Sequence, residues 1–220
     1  MTTQTVKPYK GMAMEGIIAT WYARNAQRDD EFKHWAQIIN ATVAPGGRVL
    51  EVAPGPGYLS IEVAKQSKYR VTGLDISRSF VEIAQTKAKE AGVQVDFRHG
   101  NASDMPFANE VFEFIICTAA FKNFTQPVRA IAEMHRVLTP GGQALIVDLR
   151  RDASRPAVNA MVEAMGLNWI NTLFTKLTFS QMLLKNAYTP AEIEALVAQT
   201  RFGRCDIRTD AVGMEIWLKK

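Results

Sequence analysis

Cysteine and histidine are scarce, two and three residues in a chain of 220, and each scarcity removes a class of chemistry. Two cysteines, Cys117 in an apolar stretch and Cys205 near the C-terminal end, argue against a disulfide framework. No H-E-x-x-H element and no spaced Cys/His set offers the ligands of a resident metal. His34, His99 and His135 stand in no pattern that sets up a catalytic base, so structural or surface roles are expected for all three. No apolar run is long enough to span a bilayer. The opening Met-Thr-Thr-Gln-Thr-Val-Lys-Pro has no apolar stretch of the kind a secretory leader carries, so a cytoplasmic protein with no membrane partner is expected. Charge is not blocked either: the net +4 comes from scattered lysines and arginines. With no basic run interleaved with aromatics, nucleic acid is not an expected partner. Repeats and low-complexity tracts are also missing, and the length suits one α/β domain with a sizeable core.

What is present is concentrated between residues 48 and 148. Val49-Leu50-Glu51-Val52 is an apolar run ending near a carboxylate, followed by Ala53-Pro54-Gly55-Pro56-Gly57 and then a helical pattern over 58–65. This reads as a buried parallel strand, a tight loop in which glycines let a ligand approach the backbone, and a helix. Twenty residues beyond Gly55, a second apolar strand ends at Asp75, where a carboxylate can accept both hydroxyls of a ribose. Two cofactors fit this much, a nicotinamide dinucleotide and S-adenosylmethionine. The dinucleotide fingerprint asks for a third glycine where this chain has Ser60.

Strands are expected at 48–53, 69–75, 93–98, 112–117, 143–148, 204–209 and 212–218, with helices in the intervals. Val128, Ile131, Ala132 and Leu138 mark one helix that stops at Gly141-Gly142, with His135 and Arg136 suited to the dipole at its end. Only Asp210 and Ala211 join the last two strands, a connection too short for a parallel crossover, so these two must be antiparallel.

Gly100-Asn101-Ala102-Ser103-Asp104-Met105-Pro106-Phe107, the strand 112–117 and the block from Ala132 through Arg136-Val137-Leu138-Thr139-Pro140-Gly141-Gly142 follow in order. Together with the glycine loop and Asp75, these resemble the successive motifs of class I S-adenosylmethionine-dependent methyltransferases. The resemblance implies a doubly wound, Rossmann-like α/β fold with a seven-stranded sheet, mostly parallel with an antiparallel C-terminal strand. It also implies S-adenosylmethionine as cofactor and S-adenosylhomocysteine as product. Carried over, Glu51, Ala53, Gly55 and Gly57 serve the methionine part, Asp75 the ribose, and Ile76, Asn101 and Ala102 the adenine. Ala53 departs from the family, which has glycine there. A methyl group at this position requires that it need no positive φ. Cys117 is expected at the mouth of the site, where a nucleophile reading competes with the plainer one of a small buried hydrophobe.

The domain is expected to comprise an N-terminal helical cap (1–45), the cofactor core (46–150), a helical lid insertion (151–190) and a C-terminal helix and hairpin (191–220). Trp21 and Tyr22 lie on an apolar stripe that either covers the cofactor or packs on the sheet. Trp169 and Tyr188 belong to a Met-rich, aromatic segment that reads as a pocket roof, a homodimer surface or ordinary core. Phe121-Lys122-Asn123-Phe124 resembles the Arg-Asn-Val element of the ubiquinone and menaquinone biosynthesis C-methyltransferases, with lysine for arginine, which makes Lys122 and Asn123 substrate-side candidates. The Asn-Pro-Pro-Tyr element of DNA amino-methyltransferases is replaced by Cys117-Thr118-Ala119-Ala120. The function expected is methyl transfer to a small apolar or aromatic molecule, with no general base identified. The alternatives are a nicotinamide-dependent oxidoreductase and a cofactor-binding protein that transfers no methyl group.

Overall fold

A computed structural model describes residues 9–10, 14–25, 29–164 and 184–220. Its strands are β1 (Arg48–Val52), β2 (Arg70–Asp75), β3 (Asp96–His99), β4 (Phe112–Thr118), β5 (Leu138–Leu149), β6 (Asp206–Thr209) and β7 (Gly213–Lys219). They form one sheet in the order β3-β2-β1-β4-β5-β7-β6. Every pairing from β3 to β5 is parallel, while β7 runs antiparallel to both β5 and β6. This is the Rossmann-like sheet with one reversed strand.

Period-two burial builds the two faces. On β4, Ile115 and Cys117 enter one core with Leu50, Ala144 and Ile146. Phe114 and Ile116 enter the other, with Val49 and Leu145, as alternation along a strand requires. Helices α5 (Pro127–Val137) and α7 (Pro190–Val197) cover the first face. Helices α2 (Asp29–Thr42) and α3 (Tyr58–Lys65) cover the second. Helix α4 (Arg78–Glu90) packs Val81, Ala84 and Ala88 beside Phe97 of β3. Helix α6 (Arg155–Ala164) follows β5, and α1 (Gly16–Asn25) precedes α2.

Most strand boundaries fall within one or two residues of expectation, and two starts differ by more. β3 begins at Asp96 rather than 93, with Val93 and Val95 packed against the core ahead of the ladder. β5 begins at Leu138, where Leu138 pairs with Phe112 before a register shift, so the Thr139–Gly142 stretch belongs to a long, irregular strand. Arg136 also does more than suit a helix dipole. Its guanidinium donates to the Glu133 carboxylate and to the carbonyls of Met105 and Phe107, while Glu133 Oε2 accepts the Met105 N–H at 2.7 Å. The loop after β3 is thereby pinned to α5. No helix among the described residues is long and apolar enough to cross a membrane.

Candidate functional site

A cavity of about 700 Å³ opens at the carboxyl ends of β1, β2 and β4, where open α/β sheets bind ligands. Its floor is the β1–α3 loop. Gly55 sits at φ 54° and Gly57 at φ 81°, values that suit glycine. The Gly55 N–H donates to Asp75 Oδ2 at 2.9 Å, and Asp75 Oδ1 accepts the Ser77 N–H at 2.8 Å. Asp75 is therefore a buried carboxylate that ties the glycine loop to the start of α4. Burial raises its pKa in spite of those N–H donors.

Ala53 overturns one expectation. It adopts φ 58°, so the position is left-handed after all and the methyl group is strained, at about 1–2 kcal/mol. The Ala53 N–H donates to the Leu74 carbonyl at 2.8 Å, which holds the bend in place. Gly57 is corrected too, because it does not line the cavity. A Cβ there would stand 2.6 Å from Phe97 Cζ and 2.8 Å from Ala84 Cβ, so its role is close packing at the start of α3.

Glu51 is fully buried at the cavity and accepts the Ser60 hydroxyl at 2.5 Å. Burial pushes its pKa up to about 7 against the opposing effect of that hydrogen bond, with the Asp75 charge adding to the rise. The serine that replaces a third glycine thus has a local partner. Ile76, Asn101 and Ala102 line the same cavity. Asn101 Oδ1 already accepts the Ser103 N–H at 2.9 Å, which leaves one acceptor position on that oxygen.

Cys117 does not reach the cavity. It is completely buried in the core, and desolvation raises its thiol well above the ordinary range, so it is no nucleophile. Thr118, one residue on and therefore on the other side of the strand, is the residue that lines the site. Lys122 lines the cavity but presents no free ammonium. Its Nζ lies 2.8 Å from Asp148 Oδ1 and also donates to the Ala119 carbonyl, while its backbone N–H donates to Asp148 Oδ2. Both side chains are buried. Lys122 therefore fixes the Phe121–Asn123 turn, and Asn123 faces the cavity beside it. Tyr188 is a second-layer residue behind Phe121, with ring centroids 5.8 Å apart. Trp169 lies outside the described residues, with the rest of 165–183.

The N-terminal cap supplies the remaining wall. Ile18, Trp21 and Tyr22 line the cavity, with Trp21 65 % exposed, so this stripe does not pack on the sheet. The cap is fastened beside Asp75. Ser77 Oγ donates to the Met14 carbonyl at 2.6 Å, and the Glu15 carboxylate accepts the N–H groups of Arg78 and Ser79 at 3.0 Å. Sequence reasoning missed Tyr58, whose hydroxyl donates to the Ala23 carbonyl. It also missed Tyr9, which enters the wall through an isolated bridge to Phe124. A single bridge leaves no periodic signal. None of the three histidines lines the cavity.

Residues 49–142 match the family model described as a methyltransferase domain. The demethylmenaquinone methyltransferase of Bacillus velezensis is 33 % identical over 145 residues, 64 % of this chain and 60 % of that protein. The ubiquinone/menaquinone biosynthesis C-methyltransferase UbiE of Geotalea daltonii is 33 % identical over 109 residues, 48 % of this chain and 46 % of that one. The chain thus spans about half of these relatives' length. Among solved structures, a SAM-dependent methyltransferase from Aquifex aeolicus superposes with a TM-score of 0.67 at 15 % identity, covering 90 % of this chain and 97 % of that one. That likeness establishes the fold.

Proposed function

We propose that this chain, whose residues 49–142 match the methyltransferase-domain model, transfers a methyl group from S-adenosylmethionine to a small apolar or aromatic molecule, leaving S-adenosylhomocysteine. The observation that carries this reading is the Asp75–Gly55 hydrogen bond at the floor of the cavity, which joins a buried carboxylate to an open glycine loop. The donor set fits the group. Each Asp75 oxygen accepts a backbone N–H and retains lone-pair capacity for ribose hydroxyls. Glu51 and the Ala53–Gly55 backbone would hold the methionine part, with Glu51 favoured in its charged form by a cationic partner. Ile76, Asn101 and Ala102 would hold the adenine.

When bound, the sulfonium supplies an activated methyl carbon for in-line displacement. The chain's own tasks are then alignment and exclusion of water. Ile18, Trp21 and Tyr22 supply the cover, and Lys122 fixes the turn that presents Asn123. The apolar wall favours an acceptor of low polarity. Relatives named for demethylmenaquinone and for quinone C-methylation make a hydroxylated aromatic ring the acceptor class to test first. The reading places the protein in the cytoplasm and requires no metal and no nucleic acid.

Incubation with S-adenosyl-[methyl-³H]methionine and a panel of hydroxylated aromatics is expected to give labelled product, and Asp75→Ala to reduce it at least 100-fold. Binding of S-adenosylhomocysteine without labelled product across the panel would instead support a cofactor-binding protein that transfers no methyl group.

A further inference from the structure

Tyr9 is the cavity residue that neither the cofactor contacts nor the cap explains. Its side chain is half-buried in the wall, and its hydroxyl has no hydrogen-bond partner among the described residues. The backbone around it is held firmly. Tyr9 bridges Phe124 in antiparallel sense, and the Lys10 N–H donates to the Asn123 carbonyl at 2.7 Å. The Lys10 ammonium donates to the Tyr188 hydroxyl at 3.1 Å and lies 5.2 Å over that ring. Tyr188 in turn packs on Phe121. The segment is thus sewn to both ends of the Phe121–Phe124 turn, the turn that Lys122 and Asp148 fix from below. A rigidly mounted hydroxyl in an apolar wall, with no partner among the described residues, is a polar group suited to orienting a ligand.

Resting on the methyl-transfer reading above, we propose that Tyr9 is a specificity residue for the acceptor: its neutral phenol donates a hydrogen bond to an oxygen of an aromatic acceptor and so selects hydroxylated rings over hydrocarbon rings of the same shape. Burial, with the negative fields of Tyr22, Asp75 and Asp148, pushes the phenol up to about 12, so it remains a donor throughout the neutral range and does not serve as the base. Asn123, on the sewn turn, is the neighbouring polar group of the wall. Both stand beside Ala119, Ala120 and Phe124, which offer apolar surface to a flat ring.

The test uses the full chain saturated with S-adenosylhomocysteine, titrated by calorimetry with 2-naphthol and, separately, with 2-methylnaphthalene. Tyr9→Phe keeps the ring and removes only the hydroxyl. The expected result is S-adenosylhomocysteine affinity unchanged within twofold, 2-naphthol affinity about fivefold weaker, the effect of one neutral hydrogen bond, and 2-methylnaphthalene affinity unchanged. Equal 2-naphthol affinity in the two proteins, or no measurable 2-naphthol binding by the parent chain, would overturn the assignment while leaving the cofactor reading intact. Failure of the parent chain to bind S-adenosylhomocysteine would remove the cofactor reading and Tyr9's role with it.

Discussion

At the scale of single residues, the β1–α3 loop makes two opposite predictions from one geometry. Ala53 carries a methyl group at φ 58°, so Ala53→Gly should stabilise the protein by about 1 kcal/mol, or about 2–4 °C in midpoint for a domain of this size. Gly57→Ala should do the reverse. It combines φ 81° with a Cβ inside contact distance of Phe97 and Ala84, and a loss of about 2–4 kcal/mol in urea unfolding is expected. Glu51 adds a pH dependence. Its folded pKa, about 7, lies above the ordinary carboxyl value of 4.5, so the native state holds a proton that the unfolded chain releases. Stability from this group is present below pH 4.5 and lost as pH rises through 7, by about 3 kcal/mol in all. Asp75, raised by the same burial, contributes with the same sign. Urea unfolding at pH 5 and pH 8 should show a smaller difference for Glu51→Gln than for the parent chain.

Among elements, the decisive contacts connect segments far apart in sequence. Asp148 on β5 reaches the Phe121–Asn123 turn through Lys122, and removal of one partner leaves a buried charge uncompensated. Lys122→Met and Asp148→Leu should each cost about 3–5 kcal/mol, and the double variant clearly less than their sum. Chemical denaturation of the four proteins measures this directly. The cap works differently, because its hold on α4 is a few hydrogen bonds at Met14, Glu15 and Gly16. Glu15→Ala should raise amide exchange across residues 16–25 roughly tenfold while β1 and β4 exchange as before. Equal exchange would mean that the remaining contacts, Ser77 to the Met14 carbonyl and Tyr58 to the Ala23 carbonyl among them, hold α1 without Glu15.

For the whole molecule, the sheet was readable because parallel strands buried on both faces appear as apolar runs. The short link between the last two strands, Asp210 to Val212 in the structure, fixed the sense of that pair. The cavity floor was legible for a related reason: Asp75 and Gly55 sit at strand ends, where spacing along the chain maps onto position in space. Residues placed by long-range contacts were not legible. Lys122 looked available until Asp148, 26 residues later, claimed its ammonium. Cys117 and Thr118 differ by one position, yet the pleat sends one into the core and the other to the cavity. Tyr9 reaches the wall by a single bridge, and its placement depends on Phe124, 115 residues away.

The methyl-transfer proposal requires that this cavity hold the adenosyl cofactor. Calorimetric titration of the full chain with S-adenosylhomocysteine and, in parallel, with NAD tests it most directly. One molecule of S-adenosylhomocysteine should bind per chain, at least 100-fold more tightly than NAD, with binding abolished by Asp75→Ala. Binding of NAD in preference to S-adenosylhomocysteine, or of neither, would contradict the account.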